Sequence, residues 1–272
     1  MSSAIDVRWW GLTDKGPFRK NNEDAFLALT FDENEVRLLG KEGEADFALG
    51  DFVFAVSDGM GGARAGEFAS RIAVQKLTER FPRFYRSKEM EADADREAAL
   101  LDFIGHIHVE MSLMGQYYEE CSGMGATLSL VWLAPGKACF CHVGDSRIYL
   151  LKADGRMVQL SHDHTHVGWL YRQGKITERE ARAHEGRNNL QMVLGGRTQN
   201  LDPQTGTEVV APGDAFVLCS DGLIEGLWDR TIQRLLLEPP PRLTGLTPAQ
   251  RLMREALDES GRDNTTVVVV QL

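Results

Sequence analysis

Apolar residues along this chain gather in short runs that end abruptly at an aspartate. Such runs lead into Asp58, Asp145 and Asp221, and each would be apolar on both faces of a strand. Runs of this kind are typical of buried β-strands. The pattern therefore predicts three strands that deliver three carboxylates to the ends of one core. Asp-Gly after a strand is also a common turn, and Asp154-Gly155 is interpreted as a simple hairpin turn.

The rest of the pattern predicts strands and helices in separate groups, without the strand–helix alternation of a parallel sheet. We therefore expect an α+β fold in a single domain, 1–272. Residues 32–50 alternate acids and glycines without a clear period and are expected to be a surface insertion. Pro82 is expected to stop the helix that precedes it. The predicted strands are 7–12, 25–31, 52–58, 126–133, 138–143, 146–152, 157–160, 207–210, 215–220 and 265–271. The predicted helices are 67–80, 95–119, 167–172, 177–183, 229–237 and 248–260.

Composition narrows the class of protein. The 272 residues are 43% hydrophobic and 26% charged, as expected for a globular domain with a sizeable core. A net charge of −10 argues against nucleic acid or an anionic membrane as the main partner. The four cysteines show no CxxC pair, no stretch has the length of a membrane span, and no signal-peptide layout is present. We expect a monomer in a reducing cytoplasm.

Carboxylates brought together repel one another unless protons or divalent cations neutralise them. Sites built from oxygen ligands suit Mg²⁺ or Mn²⁺, whereas softer metals prefer thiolate and imidazole. The strand-end aspartates therefore predict a hydrolase with a multinuclear magnesium or manganese centre. His162, His164 and His166 offer an alternative, because on a strand they would share one face as in a zinc site.

Six short sequence motifs occur along the chain in a fixed order. This order and spacing resemble the metal-dependent Ser/Thr protein phosphatases of the PPM (PP2C-like) family, in its bacterial form, over nearly the whole chain. The resemblance implies a four-layer sandwich, in which two antiparallel β-sheets pack face to face between helices. The segments are Arg19-Lys20-Asn21-Asn22-Glu23-Asp24, Asp58-Gly59-Met60-Gly61-Gly62, Gly125-Ala126-Thr127, Gly144-Asp145-Ser146-Arg147, Ser220-Asp221-Gly222 and Asp263-Asn264-Thr265-Thr266.

The resemblance also implies roles at a centre of two catalytic metals. Asp58 matches the carboxylate that bridges both metals, and the Gly59 carbonyl matches a ligand of one of them. Asp221 and Asp263 match carboxylates on the other metal. Arg19 matches the phosphate clamp, a task that suits a guanidinium because its fork holds two phosphoryl oxygens.

Three further acidic residues have less definite roles in the resemblance. Glu23 and Asp24 match an early acidic pair, of which one reaches the metals directly or through water. Asp145 matches the ligand of a third, weaker metal. Two cations would lower the pKa of a bridging water, so no Cys or Ser nucleophile is expected.

One position departs from the eukaryotic pattern. Met60 follows Asp58-Gly59, where eukaryotic members often carry a histidine proposed to protonate the leaving group. A metal-bound water or a histidine of 161–166 is expected to take that role. The segment from His162 also resembles the entry to the family's flap, here 167–189, whose arginines could meet acids of a phosphopeptide. Arg147 is interpreted as a structural ion-pair former.

The resemblance implies a protein phosphatase that acts on phosphoserine and phosphothreonine and opposes a bacterial Ser/Thr kinase. A catalytically silent PPM-like domain that acts as a binding or regulatory module is the first alternative. Silent members of the PPM family usually lose metal ligands. This chain keeps all five matching acidic residues, which argues against the silent module: Glu23, Asp24, Asp58, Asp221 and Asp263. A hydrolase of small phosphorylated molecules is the second alternative.

Overall fold

Strand pairing gathers the chain into two antiparallel sheets. The computed structural model describes residues 6–85, 93–196 and 200–272. The first sheet has the strand order β10-β9-β13-β14-β1-β4. The second runs β3-β2-β5-β7-β8-β12, and the end of β5 also pairs with β6, which pairs with β11. The strands are β1 (Asp6–Asp14), β2 (Asp24–Phe31), β3 (Val36–Leu38), β4 (Glu42–Asp46), β5 (Asp51–Met60), β6 (Gly125–Ala126), β7 (Leu128–Ala134), β8 (Lys137–Val143), β9 (Arg147–Leu151), β10 (Met157–Gln159), β11 (Leu194–Gly195), β12 (Gln204–Val209), β13 (Ala215–Cys219) and β14 (Thr265–Gln271).

Helices cover the outer face of each sheet and complete the predicted four-layer sandwich. One core lies between the second sheet and α1 and α2, a second lies between the two sheets, and a third lies between the first sheet and α5 to α7. The α+β prediction is thus confirmed. The helices are α1 (Ala63–Tyr85), α2 (Asp93–Tyr117), α3 (His166–Arg172), α4 (Glu178–Ala183), α5 (Asp221–Gly226), α6 (Asp229–Leu237) and α7 (Pro248–Glu259).

Two predictions about elements are wrong. Residues 32–50 are not a surface insertion, because β3 extends the second sheet beside β2 and β4 extends the first sheet beside β1. Pro82 does not stop its helix, since α1 continues to Tyr85. Phe81 is fully buried in contact with the rings of Phe31 and Trp132, and this packing favours the helix over the break that proline promotes.

Other features agree with expectation. Asp154-Gly155 turns the hairpin between β9 and β10, with Gly155 at φ +87°. The four cysteines are buried, and none of them forms a disulfide within the described residues. In the described part of the chain, none of the helices combines the length and apolar character needed to span a bilayer. The charged segment 88–93, where a loop or helix entry is predicted, lies outside the described residues except for its last position.

Candidate active site

The acidic cluster begins where β2 starts and β5 ends, at one edge of the second sheet. The register of these strands places Asp24 directly opposite Asp58. The Asp58 N–H donates to Thr127 Oγ1 over 2.9 Å, and the Thr127 N–H donates to the Asp58 carbonyl over 2.8 Å. These bonds fix the Asp58 backbone at the sheet edge without engaging its carboxylate.

Helix α1 reaches this edge because two glycines leave room for it. A Cβ on Gly59 would lie 1.9 Å from the Gly66 carbonyl oxygen, and one on Gly66 would lie 2.2 Å from Glu23 Oε2. The Gly59 N–H also donates to the Glu23 carbonyl over 3.1 Å. Glu23, Gly59 and the start of α1 therefore form one wall of the cluster.

The first sheet contributes Asp221 and Asp263 to the same cluster. Asp221 follows β13 as the first residue of α5, a short helix that the sequence pattern did not predict. Asp263 lies in the loop that enters β14. Carboxylates from both sheets thus meet at one end of the sandwich.

Two polar side chains join the sheets at this end. The Ser220 hydroxyl donates to Asp24 Oδ2 over 2.6 Å and accepts a bond from the Thr266 N–H at 2.9 Å. The Asn264 side-chain oxygen accepts the Glu23 N–H at 2.8 Å. Both residues lie inside the six sequence motifs, but no local pattern indicates these bonds between the sheets.

Burial and mutual repulsion raise the pKa values of the clustered aspartates. Burial is the larger cause for Asp24, whose pKa rises to about 6, and for Asp145, whose pKa rises to about 7. Burial together with the neighbouring acidic charges raises the pKa values of Asp58 and Asp221 well above the usual range for aspartate. The electrostatic coupling connects all of the predicted acidic ligands in one group, namely Glu23, Asp24, Asp58, Asp145, Asp221 and Asp263.

Arg19 lies at the exposed side of this group. One of its terminal nitrogens donates to Asp263 Oδ2 over 2.5 Å, and half of the Arg19 side chain is exposed. The guanidinium therefore balances the charge of one carboxylate while it remains accessible from solution. Such a position is suited to an anionic substrate group.

The chemistry of these donors fits an oxygen-seeking divalent cation. Asp24 Oδ1 and Asp221 Oδ1 are buried without a hydrogen-bond partner in the described residues, and the repulsion among the carboxylates is of the kind a cation would relieve. Within the described ranges, no group of three or more acidic, histidine or cysteine side chains is already arranged to hold a metal ion. Mg²⁺ typically takes only one or two carboxylates and keeps several waters, so a closed protein cage is not required.

The turn that carries Asp145 is held by two histidines. Gly144, at φ +110°, accepts a bond from His142 Nε2 at 3.0 Å and donates its N–H to His164 Nδ1 over 3.1 Å. Burial lowers the pKa of His142 to about 3 and that of His164 to about 4, so both rings are neutral near pH 7. His164 is therefore a poor candidate for the proton donor.

The three histidines considered for zinc do not share a strand face. His162 and His164 lie in irregular backbone, and His166 is the first residue of α3. The Nδ1 atom of His164 is already used as the acceptor for Gly144. The geometry that motivated the zinc alternative is thus wrong for this segment.

A cavity of about 380 Å³ opens beside the cluster, between the flap and helices α5 and α6. Asp145 and Asp221 line it, so it adjoins the candidate metal site. Arg147 also lines it and forms a two-pronged pair with Asp163 at 2.9 and 2.7 Å, as expected of a structural ion-pair former.

Most of the flap arginines bind the protein itself. Arg182 donates to the carbonyls of Ile224 and Leu227 at 2.5 and 2.8 Å. Arg187 pairs with Glu225 at 2.8 Å, and Arg172 donates to the Asp163 carbonyl at 2.9 Å. These three side chains hold the flap in place, so the expectation that they meet a phosphopeptide loses its basis here. Arg179 is exposed and lies outside the cavity lining.

Residues 46–259 match the family model described as protein phosphatase 2C. The chain is 31% identical to the serine/threonine protein phosphatase PstP of Mycobacterium tuberculosis over 99% of this chain. That alignment spans 46% of PstP, so the chain covers about half the length of this relative.

Solved structures agree with the sequence comparison. The serine/threonine phosphatase of S. agalactiae superposes with a TM-score of 0.80 at 28% identity and covers 98% of this chain and 99% of that one. The catalytic domain of PstP, solved in complex with two manganese ions, superposes with a TM-score of 0.71 at 30% identity and covers 98% of each chain. The manganese in that relative agrees with the oxygen-rich donor set found here.

Proposed function

Because this chain belongs to the protein phosphatase 2C family, we propose that it hydrolyses phosphoserine and phosphothreonine in proteins and opposes a Ser/Thr kinase. The observation that carries the proposal is the meeting of Asp24 and Asp58 from one sheet with Asp221 and Asp263 from the other, beside Arg19. We also propose that residues 1–272 act as one domain, since β1 and β14 are neighbours in the sheet that delivers Asp263.

The proposed metal ligands divide between the sheets. Asp58 and the Gly59 carbonyl would serve one cation, and Asp58, Asp221 and Asp263 the other. Glu23 or Asp24 would act directly or through water, and Asp145 would hold a third, weaker ion, with Mn²⁺ or Mg²⁺ as the native metal. Two bound cations supply a water of lowered pKa and charge to offset that of the phosphoryl group. The near-complete burial of Asp24 and Asp145 supports these assignments, because buried charge needs a partner.

The remaining chemistry rests on the chain's own residues. Arg19 would hold two phosphoryl oxygens and orient the phosphorus for in-line attack. Ser220 and Asn264 would keep the two sheets, and hence the two sets of carboxylates, at a fixed separation. All four cysteines are buried, so no accessible thiol competes as a nucleophile.

Hydrolysis of a phosphothreonine peptide with Mn²⁺, and again with EDTA, tests the proposal. Asp58→Asn should lower turnover by a factor of about 10³ or more, since it removes charge where both cations would bind. Asp154→Asn is the matched control, because it changes an Asp-Gly turn far from the cluster, and it should keep wild-type turnover. Release of phosphate that persists in EDTA or in Asp58→Asn would contradict the proposed centre.

Two negative results would favour the alternative functions. If the folded, metal-loaded protein released no phosphate from any phosphorylated substrate, the silent binding module would be favoured. Turnover of small phosphate esters but not of phosphopeptides would favour the small-molecule hydrolase.

A further inference from the structure

The cavity beside the metal cluster contains charged side chains that the catalytic proposal does not use. Most of them balance one another. Arg147 pairs with Asp163, Arg187 pairs with Glu225, and Arg182 caps two carbonyls and approaches Glu178 at 3.3 Å. These contacts stabilise the cavity wall and leave those arginines little freedom to bind a ligand.

Arg262 differs from the other arginines that line this cavity. It lies in the loop between α7 and β14, immediately before Asp263, and its side chain is exposed. Within the described residues it has no hydrogen-bond or ion-pair partner, whereas Arg19 on the other side of Asp263 is bound to that carboxylate. Arg262 therefore presents an unbalanced positive charge at the cavity.

The other walls of the cavity would accommodate the stem of a side chain. Tyr171 from α3 and Trp228 before α6 line it, and these residues are 46% and 45% exposed. The Arg182 guanidinium lies 4.1 Å from the centre of the Trp228 ring and covers one of its faces. Half-exposed aromatic rings offer apolar contact surface. Among the carboxylates of the lining, Asp145 and Asp221 are assigned to metal ions, so a ligand anion would not face them unscreened. Asp229 shares Arg147 with Asp163, at 3.5 Å from the guanidinium.

We propose that this cavity receives an anionic side chain that lies within three residues of the phosphorylated residue of the protein substrate, with Arg262 as the cation that binds it. The inference rests on the proposed phosphatase function. A residue advances an extended chain by only about 3.3–3.6 Å, and the cavity adjoins Asp221, so a neighbour of the phosphoresidue can reach it. The anion is a carboxylate of Asp or Glu or a second phosphate, because the guanidinium fork binds both groups in the same way.

The test compares phosphothreonine peptides that are identical except at one flanking position, scanned over the three residues on either side. That position carries Glu, Ala, Lys or a second phosphothreonine, and kcat and KM are measured with Mn²⁺. For the wild type we expect the Glu peptide to have a KM about fivefold lower than the Ala peptide at one or more positions, as for a partly exposed ion pair, with little change in kcat. Added salt should reduce the difference.

Variants of Arg262 test whether this residue causes the preference for the Glu peptide. Arg262→Ala should remove it, Arg262→Lys should keep part of it, and Arg262→Glu should favour the Lys peptide. Arg179→Ala is the matched control, since it removes an exposed flap arginine that does not line the cavity, and it should keep the full preference. If the second phosphothreonine lowers KM more than Glu does, and only when Arg262 is present, the natural anion is a phosphate.

Two results would overturn the inference while the phosphatase proposal stands. One is equal KM for Glu and Ala peptides at every position in the wild type, and the other is a preference that survives in Arg262→Ala. Failure of the wild type to release phosphate from any peptide is a different result, which would refute the proposed function and this inference with it.

Discussion

Arg19 contacts a carboxylate of the protein and is also accessible to the proposed substrate. Its guanidinium binds Asp263 at 2.5 Å while half of the side chain remains exposed. The residue that would hold phosphate is therefore already oriented by a proposed metal ligand. Phosphate binding would use the donors of the fork that Asp263 leaves open.

Replacement of Arg19 should act mainly on substrate binding. For Arg19→Ala we expect KM for a phosphothreonine peptide to rise about tenfold, the usual value of one charge-assisted contact at a partly exposed site. Arg19→Lys should recover only part of this, since an ammonium lacks the planar fork. Steady-state kinetics at saturating Mn²⁺ provides the measurement, and an unchanged KM would remove Arg19 as the clamp.

The candidate metal ligands are easier to recognise in the sequence than the residues that hold them in place. Asp58 and Asp221 stood out because each ends an apolar run, which is a local signal. Ser220 binds Asp24 from a position 196 residues away, and no local pattern encodes such a contact. The role of His142 in holding the Gly144 turn was not predicted either, since the apolar character of its strand predicts only burial.

At the scale of elements, the helices and strands with a clear periodicity of apolar residues are the ones that the sequence predicts well. The boundaries of α6 and β14 agree with prediction to the residue, because both have clear apolar patterns. Strands β3 and β4 were missed because they have three and five residues and carry no buried position. Such short edge strands depend on their neighbours for hydrogen bonds rather than on their own apolar content.

Two helices with the same N-terminal capping box offer a paired test of stability. Thr247 caps α7 and Thr177 caps α4, each with the reciprocal bond from the third helical residue. Helix α7 buries Leu252 and Ala256 against the first sheet, whereas α4 has no buried residue. The caps have the same reciprocal bonds, whereas the helices differ in packing and in length, with twelve residues in α7 and six in α4.

We expect Thr247→Ala to lower the free energy of unfolding by about 1 kcal/mol, the typical value of a cap. Thr177→Ala should leave global unfolding nearly unchanged, because the flap helix can fray without exposing the core. Urea denaturation followed by circular dichroism measures both. Equal losses would mean that the flap unfolds together with the sandwich.

At the scale of the whole molecule, the site lies where the two sheets meet, so the fold itself holds the carboxylates together against their repulsion. The raised pKa values of Asp24, Asp58, Asp145 and Asp221 mean that the folded state binds protons more tightly than the unfolded chain. The contribution of these groups to stability is then complete below their unfolded pKa and is lost as pH rises through their folded pKa values.

The EDTA-treated protein should therefore melt at a lower temperature as pH rises from 6.5 to 8.5. His142 and His164, with lowered pKa values, have the opposite effect, but only as pH falls below about 6.5. Asp58→Asn should melt higher than the wild type at pH 8 and depend less on pH. Saturating Mn²⁺ should raise the wild-type melting temperature, and a metal-free melting temperature that is flat or rises across this window would contradict the model of repelling carboxylates.

Strand β14 pairs along its whole length with β1, from Arg8 opposite Gln271 to Asp14 opposite Thr265. During translation, β1 leaves the ribosome long before its partner exists. The nascent chain must hold Trp9 and the other core residues of β1 without β14 beside them until residue 271 has emerged. Arg19 and Glu23 are likewise synthesised early but meet Asp263 and Asn264 only at that late point. A ribosome stalled before β14 therefore carries no assembled cluster, and the proposed hydrolysis would have to wait until β14 has paired with β1.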